Sequence, residues 1–207
     1  MPGRPRDPHI ATAVIEATLA ALDDGGYVRL TVEDVARRAG ATKPAIYRRW
    51  PTRQHLVLAA LSARISAIEV PDTGCTMCDL GEGIGIFVAA FQRIRPDVLG
   101  PLFADCAGEQ ALRQEFLTSL LEPPRAAVAQ MLDRAVAKGD LRPDVDITLV
   151  LDMIGALVHY RALFGFAPEG GVDVGQAVEA LLRGIAADYP ALLAHSQALA
   201  AHDHEHV

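Results

Sequence analysis

No apolar run in this 207-residue chain is long enough to cross a bilayer, and the N-terminus Met1-Pro2-Gly3-Arg4-Pro5-Arg6 lacks the apolar core of a signal peptide. Both absences predict a cytoplasmic protein with no membrane partner. Cysteine is scarce: three residues, an odd number, argue against a disulfide framework. Strand-like alternation is missing over any useful length, which points to an all-α fold. There is no internal repeat. The sequence also lacks a glycine-rich phosphate loop after a strand, a Gly-x-Ser-x-Gly elbow and a His-Glu-x-x-His pair, so an enzyme is not expected and no cofactor is implied.

What the chain does have is apolar material, 51% of its residues against 22% charged, enough for a real core in one large domain or two small ones. Its net charge of −7 is unevenly spread. Residues 1–64 hold ten Lys/Arg and six acids, while residues 65–207 hold nine bases and twenty acids. At cellular salt, charges more than roughly 8–10 Å apart are largely screened, so a partner at the N-terminal end senses a basic surface. A basic head on an acidic body suits contact with phosphate at one end only.

Helical signals recur throughout. Asp7 caps a first helix with Pro8 in its first turn, and Ile10, Ala13, Val14, Ala17 and Ala21 share its inner face until Gly25-Gly26. Thr31 caps a second helix, Thr31-x-x-Asp34 forming a capping box with Asp in place of Glu, and Val32, Val35 and Ala36 point inward. Gly40 makes the turn. Thr42 caps a third helix with Pro44 in its first turn, Ile46 and Trp50 facing the core, and Pro51 ending it. Thr52 opens a fourth, with Leu56, Ala59, Ala60 and Ala63 inward, running to about Glu69. This is the layout of a helix-turn-helix that offers its recognition helix to DNA. Residues 70–78 read as a loop. Helical segments follow at about 79–94, 96–106, 109–121, 123–138, 147–164 and 172–188, with Pro190 ending the last. The domains are therefore a 1–69 DNA-binding head, a 70–190 helical body and a disordered 191–207 tail.

The order Leu30-Thr31-Val32-Glu33-Asp34-Val35-Ala36, Ala39-Gly40-Ala41-Thr42-Lys43, Ile46-Tyr47-Arg48-Arg49-Trp50 and Thr52-Arg53, after a helix ending Gly-Gly-Tyr, resembles the DNA-binding domain of the TetR family of bacterial regulators (AcrR-like). Trp50 stands where the family more often has Phe. The resemblance implies a ligand-responsive repressor that binds a palindromic double-stranded operator as a homodimer, associated with the nucleoid. It also implies that Tyr47 and Arg53, with Arg49, contact phosphate. Lys43, Pro44, Ala45, Tyr47 and Arg48 would form the exposed face of the third helix. Lys43 or Arg48 has the donors to read guanine, and Pro44 and Ala45 the surface to meet a thymine methyl. Thr31 and Thr42 are either plain helix caps, the safer reading, or caps whose hydroxyls also touch phosphate. Arg4 and Arg6 form an arm that either enters a minor groove or adds diffuse attraction. Dimerisation would use 147–164 and 172–188, with Val174, Ala177, Val178, Leu181, Leu182 and Ile185 on the second of these.

A body of this kind often encloses a small apolar effector. Phe87, Phe91, Phe103, Met131, Met153, Leu157 and Phe164 are candidates to line its site, with His159, Tyr160 and Arg161 as the polar interruption of an apolar helix. Ordinary core packing is the stronger reading for each of them. Cys75-x-x-Cys78 has the spacing of a zinc or redox pair, yet no further ligands lie at matching spacing; incidental loop cysteines are the expectation, and Cys106 a buried one. No metal site is expected. The rival to a regulator is a helical small-molecule, metal- or redox-sensing module without operator-specific DNA binding.

Overall fold

The computed structural model describes residues 8–65, 68–164 and 173–204. Among them the regular structure is helical, with one isolated bridge between Leu141 and Ala186. Two compact units emerge. The first joins residues up to 67 to residues 93–122, and the second joins 68–92 to 123 onward. Residues 93–122, assigned by sequence to the body, therefore pack with the N-terminal helices instead.

Within the first unit, Pro8 opens α1 (Pro8–Arg29) at a position where its missing N–H costs nothing. The predicted cap, Asp7, and the arm with Arg4 and Arg6 lie outside the described residues. Gly26, at φ 70° and ψ −178°, interrupts α1 in a region open essentially to glycine alone. A Cβ there would also meet Asp97 Oδ2 at 2.7 Å. The predicted stop is thus a break, after which one more turn carries Tyr27 into the core, 2% exposed. Val14, Ala17 and Ala21 are buried as expected. Ile10 is not: it stands 48% exposed on the first turn, where it lines an open cleft with Ala45 and Trp50.

α2 (Val32–Arg38) buries Val32, Val35 and Ala36, and Thr31 Oγ1 accepts the Asp34 N–H at 3.2 Å. Only this half of the capping box forms. The short Asp34 carboxylate turns instead to Arg37 and Arg38, three and four residues on. Gly40, at φ 60°, supplies the left-handed turn. α3 (Lys43–Tyr47) buries Ile46, and α4 (Arg53–Ile65) buries Leu56, Val57, Leu58, Ala60, Leu61 and Ile65. That is a wider apolar face than predicted, because α1 packs on α4 and so do α7 and the π-helical turn that follows it; Ala63 faces out. Residue Glu69, expected at the end of α4, lies outside any helix. α6 (Pro96–Ala107) and α7 (Gln110–Phe116) complete this unit with a π-helical turn over Leu117–Leu121. There the Glu122 N–H bonds back to Leu117 O. The helix thus widens as it approaches Pro123 and Pro124, which supply no N–H donors.

The second unit comprises α5 (Thr76–Gln92), α8 (Glu122–Lys138), α9 (Ile147–Phe164), α10 (Val174–Ile185) and α11 (Tyr189–His204). α5 packs against α9, α10 and α11. The segment predicted as a disordered tail is α11 through His204. Pro190 begins that helix rather than blocking it, since a proline in the first turn forfeits no hydrogen bond.

Candidate functional site

The second and third helices set the candidate surface. Thr42 Oγ1 accepts the Ala45 N–H at 3.4 Å, so the hydroxyl serves as the cap that orients α3. Ile46, 1% exposed, anchors α3 in the core and forces its neighbours outward. Lys43, Pro44, Tyr47, Arg48 and Arg49 are exposed and Ala45 is half-buried. Thr31 and Thr42 are themselves exposed, at the N-termini of their helices. Trp50 differs from expectation. It follows the end of α3 in a turn, half-buried, its N–H bonded to Ile46 O at 2.9 Å. The Arg49 guanidinium lies 5.7 Å from its ring centroid, so Trp50 orients a cation as well as filling space.

The cations of this surface are not idle. Lys43 Nζ pairs with Glu33 at 2.8 Å, which raises the lysine above its ordinary range and lowers the glutamate. Arg38 bridges Asp34 and Asp24. These pairs are exposed and screened, so they hold geometry weakly and give way to a stronger anion.

Arg53 is more firmly engaged. Its Nη2 sits 2.8 Å from Asp105 Oδ2 on α6, and its guanidinium lies 4.3 Å from the Tyr27 ring centroid. The Tyr27 hydroxyl donates to the same Asp105 oxygen at 2.7 Å. Burial, reinforced by Asp105, pushes the Tyr27 phenol well above its ordinary range. The bond from Tyr27, then those from Arg53 and Gln54, hold the Asp105 carboxyl below its own. Sequence inspection missed Asp105: it stands 52 residues from Arg53, and no local pattern marks the pairing. His55 was missed too: it faces Glu115, 60 residues on, at 3.4 Å, and takes part in a local bond with Thr52 Oγ1 at 2.7 Å.

The predicted effector residues do not line one cavity. Phe87 and Met131 are buried in the core of the second unit, 2% exposed each. Phe103 belongs to the first unit, 45% exposed and edge-on to Phe116. The side chains of Phe91 and Phe164 lie outside those described. Leu157 is half-buried, whereas Met153 and Tyr160 stand 52% and 56% exposed. These last three border an open apolar groove with Ala156, Ala177 and Leu181. His159 is half-buried with Nδ1 2.6 Å from Gly155 O, and burial lowers its pKa. On α10, Val178 and Leu182 are buried inside the protomer, leaving Ala177 and Leu181 nearer the surface. Cys75 and Cys78, expected as incidental loop thiols, form a disulfide at the start of α5. Helix geometry explains it: residues three apart at a helix start bring their sulfurs together. Cys106 is buried as expected.

Comparison with known proteins agrees with this arrangement. The family model described as bacterial regulatory proteins, tetR family, matches residues 14–60, and that of the tetracyclin repressor-like C-terminal domain matches residues 70–181. The DNA-binding transcriptional repressor TetR of Mycobacteroides abscessus is 30% identical over 83% of this chain and 91% of its own length. YdeS of Bacillus subtilis, an uncharacterized HTH-type transcriptional regulator, is 28% identical over 78% of this chain and 82% of its own. The crystal structure of the TetR family transcription regulator SCO0332 superposes with a TM-score of 0.68 at 28% identity, covering 85% of this chain and 98% of that one. With both family models matched in chain order and a relative 30% identical over most of its length, the chain belongs to the TetR family of bacterial transcriptional regulators.

Proposed function

We propose that this regulator acts as a homodimer whose two α3 helices enter successive major grooves of a two-fold operator, and that a small apolar effector releases it. The observation that carries the reading is the outward face of α3, with Lys43, Pro44, Tyr47 and Arg48 exposed around the buried Ile46. Lys43 or Arg48 reads bases there, with Pro44 and Ala45 against a thymine methyl. Tyr47, Arg49 and Arg53 hold phosphates, and Thr31 and Thr42 present helix N-termini to the backbone. Arg53 reaches a phosphate by exchanging its Asp105 partner for it.

One α3 makes too few base contacts for operator affinity, and a second copy doubles them. The exposed apolar face of α9 and α10, with Leu149, Met153 and Tyr160 each more than half exposed, supports dimerisation through these helices. The effector belongs in the second unit, where Phe87 and His159 both lie close to Gly155. It must bind the DNA-incompetent arrangement more tightly, or it shifts nothing.

The test is binding to duplexes from the chain's own promoter across a salt series. A steep negative slope of log affinity on log salt, with preference for one fragment retained, supports the operator reading. Flat salt dependence and equal binding to every duplex would favour a helical binding module without operator activity.

A further inference from the structure

The Cys75–Cys78 bridge plays no part in the DNA-binding surface. We propose that it is a thiol–disulfide exchange site, opened by a small-molecule thiol that attacks Cys78 Sγ and expels Cys75 as the leaving thiolate.

The two sulfurs differ in access and in surroundings. Cys75 is 1% exposed and caps α5, its carbonyl accepting the Asp79 N–H at 2.8 Å. Cys78 is only half-buried, its sulfur 3.8 Å from the Ser196 hydroxyl of α11. A thiolate from solvent therefore reaches Cys78 first. The Cys78 N–H points at Cys75 Sγ from 3.2 Å, so the sulfur that must leave already has a donor at the positive end of a helix. A sulfur held this way is the better leaving group. The neighbouring turn is braced independently, since the buried Asp79 carboxylate accepts from the Thr73 N–H at 2.8 Å and its hydroxyl at 2.6 Å. Opening the bridge does not require that turn to unfold. A cleft of about 390 Å³ is lined by Gly74, Lys138, Asp188, Leu192 and His195, of which Gly74 and His195 are the chain neighbours of Cys75 and Ser196.

The chemistry balances. RS⁻ forms a bond to Cys78 Sγ, the Cys75–Cys78 bond breaks, and its electron pair goes to Cys75 Sγ. A second RS⁻ attacks the R-bearing sulfur of the mixed disulfide, releasing RSSR and Cys78 thiolate; protonation leaves two thiols. Hydrogen peroxide restores the bridge, two thiols giving one disulfide and two waters. Because α5 packs on α9, α10 and α11, the redox state of its first turn bears on the helices proposed to dimerise.

Full-length protein is equilibrated in glutathione buffers, quenched with acid, alkylated and digested. After peroxide, the peptide carrying both cysteines is expected two hydrogens lighter than its dithiol form. During reduction, glutathione is expected on Cys78 and not on Cys75. In separate variants, oxidised glutathione should modify Cys78 of Cys75→Ser about tenfold faster than Cys75 of Cys78→Ser. The wild-type trapping experiment needs no substitution and stands if either variant folds poorly. Melting of wild-type protein should fall by about 4–8 °C on reduction, the effect of releasing a short cross-linked loop in a domain of this size. Thiols that stay reduced in peroxide, or glutathione found mainly on Cys75, would overturn the proposal. None of these readouts involves DNA, so failure here leaves the operator reading untouched.

Discussion

The surface around α3 and the face of α9 with α10 solve opposite problems. Around α3, basic groups sit beside acids of the same unit: Lys43 on Glu33, Arg38 on Asp24 and Asp34, Arg53 on Asp105. On α9 the exposed large apolar groups are Leu149, Met153 and Tyr160, and water is a poor partner for their carbon surface. In the proposed DNA complex phosphates replace the built-in counter-ions of the first surface, so each contact is an exchange of anions with a modest net gain. The second gains simply by leaving water. In the proposed dimer, specific binding then requires the apolar face to bring two weakly binding basic surfaces together.

The apolar face gives the largest expected effect. Replacing Met153 and Tyr160 together by Glu places like charges on both sides of the proposed interface, where desolvation leaves them unpaired. Sedimentation should show a monomer at micromolar concentration. Operator affinity should fall by about a hundredfold or more, because the second α3 is no longer tethered. Helical content should not change. A dimer that survives this double substitution breaks the comparison at its base.

The basic surface divides further. Lys43→Ala is expected to alter preference among operator base substitutions by about tenfold. Arg49→Ala should weaken specific and random duplexes alike and lower the salt slope by about one. Equal effects on sequence preference would mean that no base reading is lodged in Lys43.

The difference between the two surfaces also explains what the sequence revealed. Caps, turns and inward faces depend on neighbours within four residues, so Thr31, Gly40, Thr42 and Ile46 were legible. The capping box was read from the sequence, but not that only half of it forms, because Arg37 and Arg38 compete for Asp34. Pairings across long stretches, such as Asp105 with Arg53 or Thr76 with Asp140, leave no periodic trace. Hydropathy marked α9 as apolar but could not separate Val158, 4% exposed, from Tyr160, 56% exposed, because that division depends on where α5 packs. The scattered effector candidates failed for the same reason: an aromatic at helical spacing looks alike in a core and in a pocket.

Asp105 sharpens the exchange argument at a smaller scale. Asp105→Asn removes the carboxylate that phosphate must displace from Arg53, so affinity for all duplexes should rise by about threefold. The same variant changes acid stability. The folded Asp105 carboxyl lies below its ordinary 3.8, so its contribution is present above that value and is lost as pH falls through the folded one. Wild-type protein should therefore lose more stability than Asp105→Asn on acidification below about pH 4. Affinity that falls in the variant would show that Asp105 presents Arg53 to DNA rather than restraining it.

His159 provides the smallest effect and the test on the apolar side. Burial holds its pKa below the ordinary 6.5, with the bond to Gly155 O opposing in part. The neutral ring donates from Nδ1 to that carbonyl, which fixes the tautomer. As pH falls below 6.5 the unfolded chain takes up the proton first, so the folded state loses ground until its own lower pKa is passed. Melting of the wild type should thus drop more between pH 7 and 5 than melting of His159→Gln. An effector lodged against His159 would deepen the wild-type dependence, because it excludes more water from the ring, and would leave the Gln variant flat. If the two proteins melted in parallel across this range, the imidazole would be solvated in the folded state.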